Sequence, residues 1–293
     1  MSGRRAFIPW LFILPAFVLL LAVGMYPIIY TLISSFEHYH LDTLYLGTPF
    51  YGGGNYVDAV KSPLFVGSVL RTLLFVAIAL PIEIILGLSA ALLLDRPRNN
   101  GLRALTRVIL VLPIATTPVV VGLFGALIFN TQFGVVNYLI NLIGFKPVDW
   151  LGNPVRAMVS IFILQVWQWT PFVTLVLLAS LTTIPPEMED AFLLESSSWW
   201  VRLRHIRLPY LVPGLAASAI FQTAYMIKLF DMIYTLTRGG PGESTDLISL
   251  QMERLAFRAF DAGRAAAESI IMLVLTIVLS QLYIRFFYRE PEA

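Results

Sequence analysis

Long apolar segments alternate with shorter polar stretches along the whole chain. A helix that crosses a membrane needs about 20 apolar residues, because hydrocarbon offers no partner to a backbone amide outside a helix. Six segments reach this length: 7–36, 65–94, 105–129, 155–182, 211–236 and 265–288. The pattern predicts an all-α membrane protein whose six transmembrane helices form a single domain over residues 1–293.

Composition supports this interpretation and excludes several alternatives. The chain is 58% hydrophobic and 13% charged, whereas soluble domains carry about 25% charged residues. The absence of cysteine excludes a disulfide framework and a thiolate metal site. A net charge of +2 gives no indication of nucleic-acid binding. The first apolar segment follows Arg4 and Arg5 as a signal peptide would, but its length and the lack of a clear cleavage site predict a retained helix.

Basic residues are concentrated in one of the two sets of connections that six alternating spans create. This set contains Arg4, Arg5, Arg96, Arg98, Arg103, Arg107, Arg202, Arg204, Arg207, Arg285 and Arg289. The other set is spread over longer connections and is partly offset by acidic residues. Because short basic loops stay in the cytoplasm, we expect both termini there, in a bacterial inner membrane protein. The periplasmic connections are then 37–64, 130–154 and 237–264.

The connection 183–210 is too long and too polar for a simple turn. Pro185 and Pro186 suit a helix start, and acidic residues follow in the first turn, where the helix dipole favours them. Met188 and Phe192 share one helical face. The pattern predicts a short amphipathic helix. A helix lying in the lipid headgroup region, anchored by Trp199 and Trp200, is an alternative.

Residues 184–209 resemble the EAA loop of binding-protein-dependent importer permeases. The register matches without a gap at Ile184, Pro185, Glu187, Ala191, Ser198, Trp200, Ile206, Leu208 and Pro209. In that family the short helix is a cytoplasmic coupling helix that docks on an ATPase dimer. The resemblance assigns ATPase coupling to Glu187, Asp190, Ala191, Glu195, Ser196 and Ser198. Asp190 and Glu195 preserve the charge of the usual residues, whereas Ser196 replaces a glycine that would suit a left-handed helix cap.

Three further motifs extend the resemblance over almost the whole chain. GNYVDAV begins at Gly54, WQWTPF begins at Trp167, and FDMIYTLTRGGPG begins at Phe230. These motifs are similar to those of the maltose-permease-like first subunit of sugar importers, which have the type I ABC importer permease fold. The resemblance implies a heterodimer with a second permease subunit, an ATPase dimer, a periplasmic solute-binding protein, and a sugar-type substrate.

Polar residues within the predicted fourth span mark a candidate substrate pathway, because polar groups in a membrane usually face a cavity or the bundle interior. Gln165, Gln168, Trp169 and Phe172 follow helical spacing and share one face. Amides can pair with sugar hydroxyls, and rings can pack on a pyranose. The alternative is ordinary helix packing with interhelical hydrogen bonds.

A second polar row occupies the predicted fifth span. It comprises Gln222, Tyr225 and Lys228, and Asp231 follows three residues after the lysine. Lys228 could pair with Asp231 or extend to the outer interface. If it lines the cavity instead, we expect a substrate with an anionic group, such as a uronate, sulfonate or phosphate.

No catalytic or cofactor site is predicted in this chain. The phosphate-binding pattern G-x-x-x-x-G-K-[ST] does not occur, so ATP and Mg²⁺ are expected on a partner ATPase. The three histidines lack metal-ligand spacing, and no hydrolytic triad is suggested. An ion-coupled secondary transporter is the alternative function, with Glu83 as the candidate ion site, although an isolated acid lacks a relay. An intramembrane enzyme has no candidate nucleophile.

Overall fold

The computed structural model describes residues 3–95, 100–195 and 198–287, and its regular structure there is helical. Within these ranges β-structure is limited to isolated bridges between Glu37 and Phe50 and between His40 and Asp261. The predicted all-α class is therefore confirmed. The helices are α1 Gly3–Ser34, α2 Gly54–Lys61, α3 Pro63–Leu94, α4 Asn100–Ala115, α5 Pro118–Ile128, α6 Val135–Leu142, α7 Pro154–Leu181, α8 Pro186–Glu195, α9 Trp199–Arg202, α10 Leu208–Ile227, α11 Asp231–Leu236, α12 Ile248–Phe257 and α13 Ala262–Phe287.

Among the described residues, five helical segments are long and apolar enough to cross a membrane. They are Ile13–Ser34, Pro63–Leu94, Pro154–Leu181, Trp199–Ile227 and Ala262–Phe287. The first, second, fourth and sixth predicted spans agree with these helices to within a few residues, apart from the start of the first. A bent pair formed by α4 and α5 supplies a sixth span if its two arms are counted together.

The predicted third span, 105–129, is not one continuous helix. Val108–Ala115 and Pro118–Ile128 meet at an angle of 94°. Thr117 is extended, with φ −68° and ψ 145°, because the ring of Pro118 disfavours helical geometry in the preceding residue. The break frees the carbonyl of Thr116, and Gln168 Nε2 donates a hydrogen bond to it at 2.7 Å.

The predicted fifth span, 211–236, also ends earlier than its hydrophobicity indicates. Helix α10 stops at Ile227, and the N–H groups of Lys228 and Leu229 bond to carbonyls three residues back, which tightens the last turn. Ser249 Oγ donates to the carbonyl of Leu229. The chain then starts the separate helix α11 at Asp231.

Helix α5 packs closely on α11 because its contact face carries glycine. A Cβ atom at Gly122 would meet the side chain of Thr235 and lie 2.8 Å from the carbonyl oxygen of Met232. Small residues allow this approach between membrane helices, where packing rather than hydrophobic burial supplies most of the attraction. The second arm of the broken span is thereby held against α11.

By internal contacts the chain divides into two compact units, of which unit 1 comprises residues 1–66 and 251–274. In unit 1 the buried Asn55 side chain donates to the carbonyls of Ser35 at 2.9 Å and Glu37 at 2.8 Å. The N–H of Gly263 donates to the carbonyl of Tyr39 at 2.8 Å. The asparagine of the GNY motif thus satisfies the free carbonyls that follow α1.

Unit 2 comprises residues 67–250 and 275–293 and contains the long helices α7 and α10. Its core includes the fully buried Phe75, whose ring stacks on Phe162 at 4.5 Å between centroids. Arg71 Nε donates to the carbonyl of Asp246 at 2.9 Å, and Thr72 Oγ1 accepts from the N–H of Ile248 at 3.0 Å. These bonds fix the polar connection that precedes α12.

Substitution Gly122→Ala tests the contact between α5 and α11. The added methyl group would collide with backbone as well as side chain, and overpacking of this kind costs about 1–3 kcal/mol. We expect a lower thermal unfolding midpoint for the purified protein in detergent. Gly24→Ala is the matched control, because no atom lies within 4 Å of a Cβ built there. Equal midpoints for the two variants would contradict the described packing.

Candidate functional site

An aromatic cluster joins α7 to α10. The ring centroids of Trp169 and Tyr225 are 4.1 Å apart, and those of Phe172 and Phe221 are 4.6 Å apart. Trp169 also lies 6.0 Å from Phe172 with the rings edge to face. The structure therefore brings three of the sequence-predicted aromatic residues together. It adds Phe221, which was not predicted although it precedes Tyr225 by one helical turn and so shares its face.

The two predicted glutamines of α7 are buried and bond to neighbouring helices. Gln165 Nε2 donates to Glu83 Oε1 of α3 at 3.2 Å, and Gln168 Nε2 donates to the Thr116 carbonyl at the break before α5. The side-chain N–H groups of both glutamines therefore form hydrogen bonds within the protein, as the alternative of ordinary helix packing predicts. Their Oε1 atoms are buried without a hydrogen-bond partner in the part of the chain that the structure describes.

Gln222 of α10 is buried in the same manner. Its Nε2 is 3.5 Å from the Trp169 carbonyl, which is at the limit of a hydrogen bond, and its Oε1 has no partner among residues 3–95, 100–195 and 198–287. The same holds for Glu83 Oε2. Buried acceptors without donors are unusual and call for a proton donor such as a water or a hydroxyl group of a ligand.

Lys228 and Asp231 lie at the junction of α10 and α11, and both are exposed. Lys228 occupies the position after the last residue of α10, and Asp231 is in the first turn of α11. Within the described ranges the two side chains form no ion pair, so the pairing of Lys228 with Asp231, one of the alternatives left open by the sequence, is not found in this conformation. The ammonium group is thus not neutralised by the nearest acid in sequence.

Helix α8 has one face turned to the protein and one face exposed. Phe192 packs against a buried apolar cluster that includes Ile184, Ile206 and Leu211. Leu194 is 90% exposed. The predicted coupling residues Glu187, Asp190, Ala191 and Ser198 are also exposed. Ser196 and the side chain of Glu195 lie outside the described residues.

Met188 does not follow its predicted helical partner Phe192 into the protein, since 41% of its surface is exposed. Helix α8 therefore presents an apolar and acidic surface to which no part of this chain is bound among the described residues. Such a mixed, exposed surface on a short helix is suited to a protein partner.

A buried arginine next to α8 was not recognised from the sequence. Arg207 Nε and Nη2 donate to the two carboxylate oxygens of Glu189 at 2.9 and 3.1 Å, and Nη2 also lies 3.0 Å from Asp95 Oδ2. The sequence indicated only that Arg207 belongs to the basic connections that we expect in the cytoplasm. The pairing had no local signal, because its members lie in three separate stretches of the chain.

Comparisons with known proteins identify the family. The family model described as "Binding-protein-dependent transport system inner membrane component" matches residues 83–288. The trehalose/maltose transport system permease protein MalF of Thermococcus litoralis is 35% identical and aligns over 96% of this chain and 94% of its own length. The sulfoquinovosyl glycerol transport system permease protein SmoG of Agrobacterium fabrum is 30% identical over 94% of this chain and 88% of its own length.

Solved structures show the same fold. A chain of a bacterial ABC transporter involved in the import of the acidic polysaccharide alginate superposes with a TM-score of 0.83 and 21% identity, over 99% of this chain and 98% of that one. An amino acid ABC transporter gives a TM-score of 0.55 and 16% identity over 80% of this chain and 98% of that one. The predicted importer permease fold is confirmed.

The family match, the apolar helices and the permease relatives agree. This chain is a multi-pass inner membrane protein and a permease component, so ATP hydrolysis lies in a separate subunit. It belongs to the family of binding-protein-dependent transport system inner membrane components.

Proposed function

We propose that the chain is the transmembrane subunit of an ATP-driven importer that moves a sugar or sugar derivative from periplasm to cytoplasm by alternating access. The observation that carries the proposal is the site on α7 and α10, where aromatic rings in mutual contact adjoin buried amide oxygens that lack donors among the described residues. Sugars offer hydroxyl donors and apolar ring faces, which suit these two kinds of surface. The trehalose/maltose permease relative supports the same substrate class.

The proposed assembly contains a second homologous permease subunit, an ATPase dimer and a periplasmic solute-binding protein. This chain binds no cofactor in the scheme, because ATP and Mg²⁺ are held by the ATPase dimer. The permease is surrounded by membrane lipid, and no role for nucleic acid is proposed. Both termini and α8 are assigned to the cytoplasm, on the basis of the arginine-rich connections described above.

The exposed face of α8 is assigned to the ATPase dimer. Its acidic residues Glu187 and Asp190 flank the small Ala191, and the apolar Leu194 projects nearby. A small residue permits close approach of a partner groove, and an exposed apolar side chain gains free energy when that groove covers it. ATP-dependent closure of the dimer would then displace α8.

An anionic substrate is favoured over a neutral one by Lys228. Its side chain is exposed at the end of α10 and has no ion pair with Asp231 in the described structure. It follows Tyr225, a member of the aromatic cluster, by one helical turn. The SmoG relative is named for transport of sulfoquinovosyl glycerol, a sulfonated glycoside. We therefore assign a sugar with a carboxylate or sulfonate group.

Substitution Ala191→Arg tests coupling to ATP hydrolysis. A long cationic side chain on the proposed docking face should exclude the ATPase, because interface cores tolerate neither added bulk nor unpaired charge. We expect the ATPase subunits recovered with the purified permease to fall by about tenfold or more, together with ATP-dependent uptake into proteoliposomes.

The control for this variant is Asp42→Arg, which adds a similar side chain at an exposed position on the predicted periplasmic side. It should retain the ATPase subunits. Uptake by the wild-type protein that requires an ion gradient and proceeds without ATP would refute the ATP-driven function and favour a secondary transporter.

Substitution Lys228→Gln tests the charge of the substrate. Loss of one hydrogen bond to a charged group costs about 1.5 kcal/mol. We therefore expect the concentration of a uronate- or sulfonate-bearing sugar that gives half-maximal uptake to rise about tenfold. Uptake of a neutral glycoside should be unchanged. Lys61→Gln, at an exposed lysine remote in sequence, serves as control. The measurement is uptake of the radiolabelled anionic sugar and of the radiolabelled neutral glycoside. Equal effects of Lys228→Gln on both sugars would exclude recognition of the anionic group by Lys228.

A further inference from the structure

Arg207 is a buried charged side chain of unit 2, with 8% of its surface exposed. Its guanidinium group binds Glu189 of α8 through two parallel hydrogen bonds. The same group reaches Asp95, which directly follows α3, at 3.0 Å. Arg207 itself immediately precedes α10. One side chain therefore connects α8, the end of α3 and the start of α10.

Two carboxylates and a second arginine form ion pairs around this guanidinium group among the described residues. Asp95 and Glu189 supply two negative charges, and Arg202 supplies the second positive charge at 3.9 Å from Glu189 Oε2. A planar guanidinium group can form two parallel bonds with one carboxylate and still contact another, whereas an ammonium group acts as a single point charge. Removal of one partner would leave a partly buried charge uncompensated, which is strongly unfavourable.

The backbone at Arg207 is itself specialised. Residues Leu203–Arg207 form a π-helical turn between α9 and α10. Such turns interrupt the regular hydrogen-bond ladder of an α-helix and occur frequently at functional sites. Arg207 is the last residue of this turn. The turn thus ends at the residue that contacts both carboxylates.

An apolar cluster lies under the same three elements. Ala91 of α3 and Leu211 of α10 belong to it, together with Ile184 before α8 and Ile206 of the π-helical turn, and Phe192 of α8 packs against it. Close-packed side chains transmit displacement with little compression. The ionic contacts of Arg207 and the apolar cluster therefore join the same helices.

We propose that Arg207 is a positioning residue that makes α8, the end of α3 and the start of α10 move as one body during transport. This inference rests on the proposed role of α8 as the site of ATPase docking. A displacement of α8 then reaches α10, which carries Gln222 and Tyr225 of the candidate substrate site. Loosening the contact should separate ATP hydrolysis from transport without preventing assembly.

The test uses the complete importer, reconstituted in proteoliposomes with its second permease, ATPase dimer and binding protein. Arg207→Lys keeps the positive charge but cannot hold both carboxylates in the same geometry. We expect the complex to assemble with wild-type subunit ratios and to hydrolyse ATP. The number of substrate molecules imported per ATP should fall about tenfold, within the range by which mutations along a coupling network change coupling. Arg204→Lys is the matched control at an exposed position in the same π-helical turn, and its ratio should be unchanged.

Glu189→Gln and Asp95→Asn provide a second test that leaves Arg207 in place. Each preserves side-chain size and removes one charge, so each should lower the ratio of import to hydrolysis, even if Arg207→Lys fails to assemble. An unchanged ratio in the assembled variants overturns the proposal, whether or not their thermal stability falls, because a purely structural contact would affect stability alone. Failure of the wild-type complex to import with ATP would instead remove the proposed function, and this inference with it.

Discussion

A peptide group that leaves a helix within the membrane must find its hydrogen-bond partner in the protein, because hydrocarbon supplies none. This constraint determines the structure at its two breaks. At the break between α4 and α5, the carbonyl of Thr116 is satisfied by Gln168 from α7. After α10, the carbonyl of Leu229 is satisfied by Ser249. Gln168, one of the polar side chains that mark the candidate pathway, therefore also supports the backbone at a break.

The side-chain amides of the buried glutamines can bond to the protein and to a ligand at the same time. Each amide has a donor end and an acceptor end. The donor ends of Gln165 and Gln222 are directed to another helix, and that of Gln168 is directed to the break between α4 and α5. The acceptor ends lack partners within the described residues. A helix-packing role and a ligand-binding role are therefore compatible in one side chain, and the sequence pattern alone could not separate them.

Much of the fold followed from hydrophobic length, because the bilayer imposes the same requirement on every spanning helix. The short helix α8 followed from its prolines and early acidic residues. The sharpness of the bend before Pro118 and the early end of α10 did not follow. Pro113 lies inside α4 whereas Pro118 begins α5 after a sharp bend, and a glutamine of another helix bonds to the carbonyl that this bend frees. The end of α10 carries no proline signal at all.

Residues that share one helix were predicted together, whereas contacts between distant stretches of the chain were not. Trp169 and Phe172 follow the periodicity of one helix, so their shared face could be anticipated, whereas their contact with Tyr225 of another helix depends on how α7 and α10 pack. The contact of Arg207 with Glu189 and Asp95 depends on how three distant stretches meet, and no local pattern encodes it. Ser196, which replaces the usual glycine of the EAA loop, lies outside the described residues.

Asn55 and Gly263 show that unit 1 is assembled from both ends of the chain. Asn55 binds the carbonyls that follow α1, and the N–H of Gly263 completes the same region at Tyr39. During synthesis Tyr39 and Asn55 emerge from the ribosome more than 200 residues before Gly263. Residues 37–64 must therefore wait for the start of the last helix before their final contacts form. The first part of the chain to be synthesised is therefore among the last to complete its tertiary contacts.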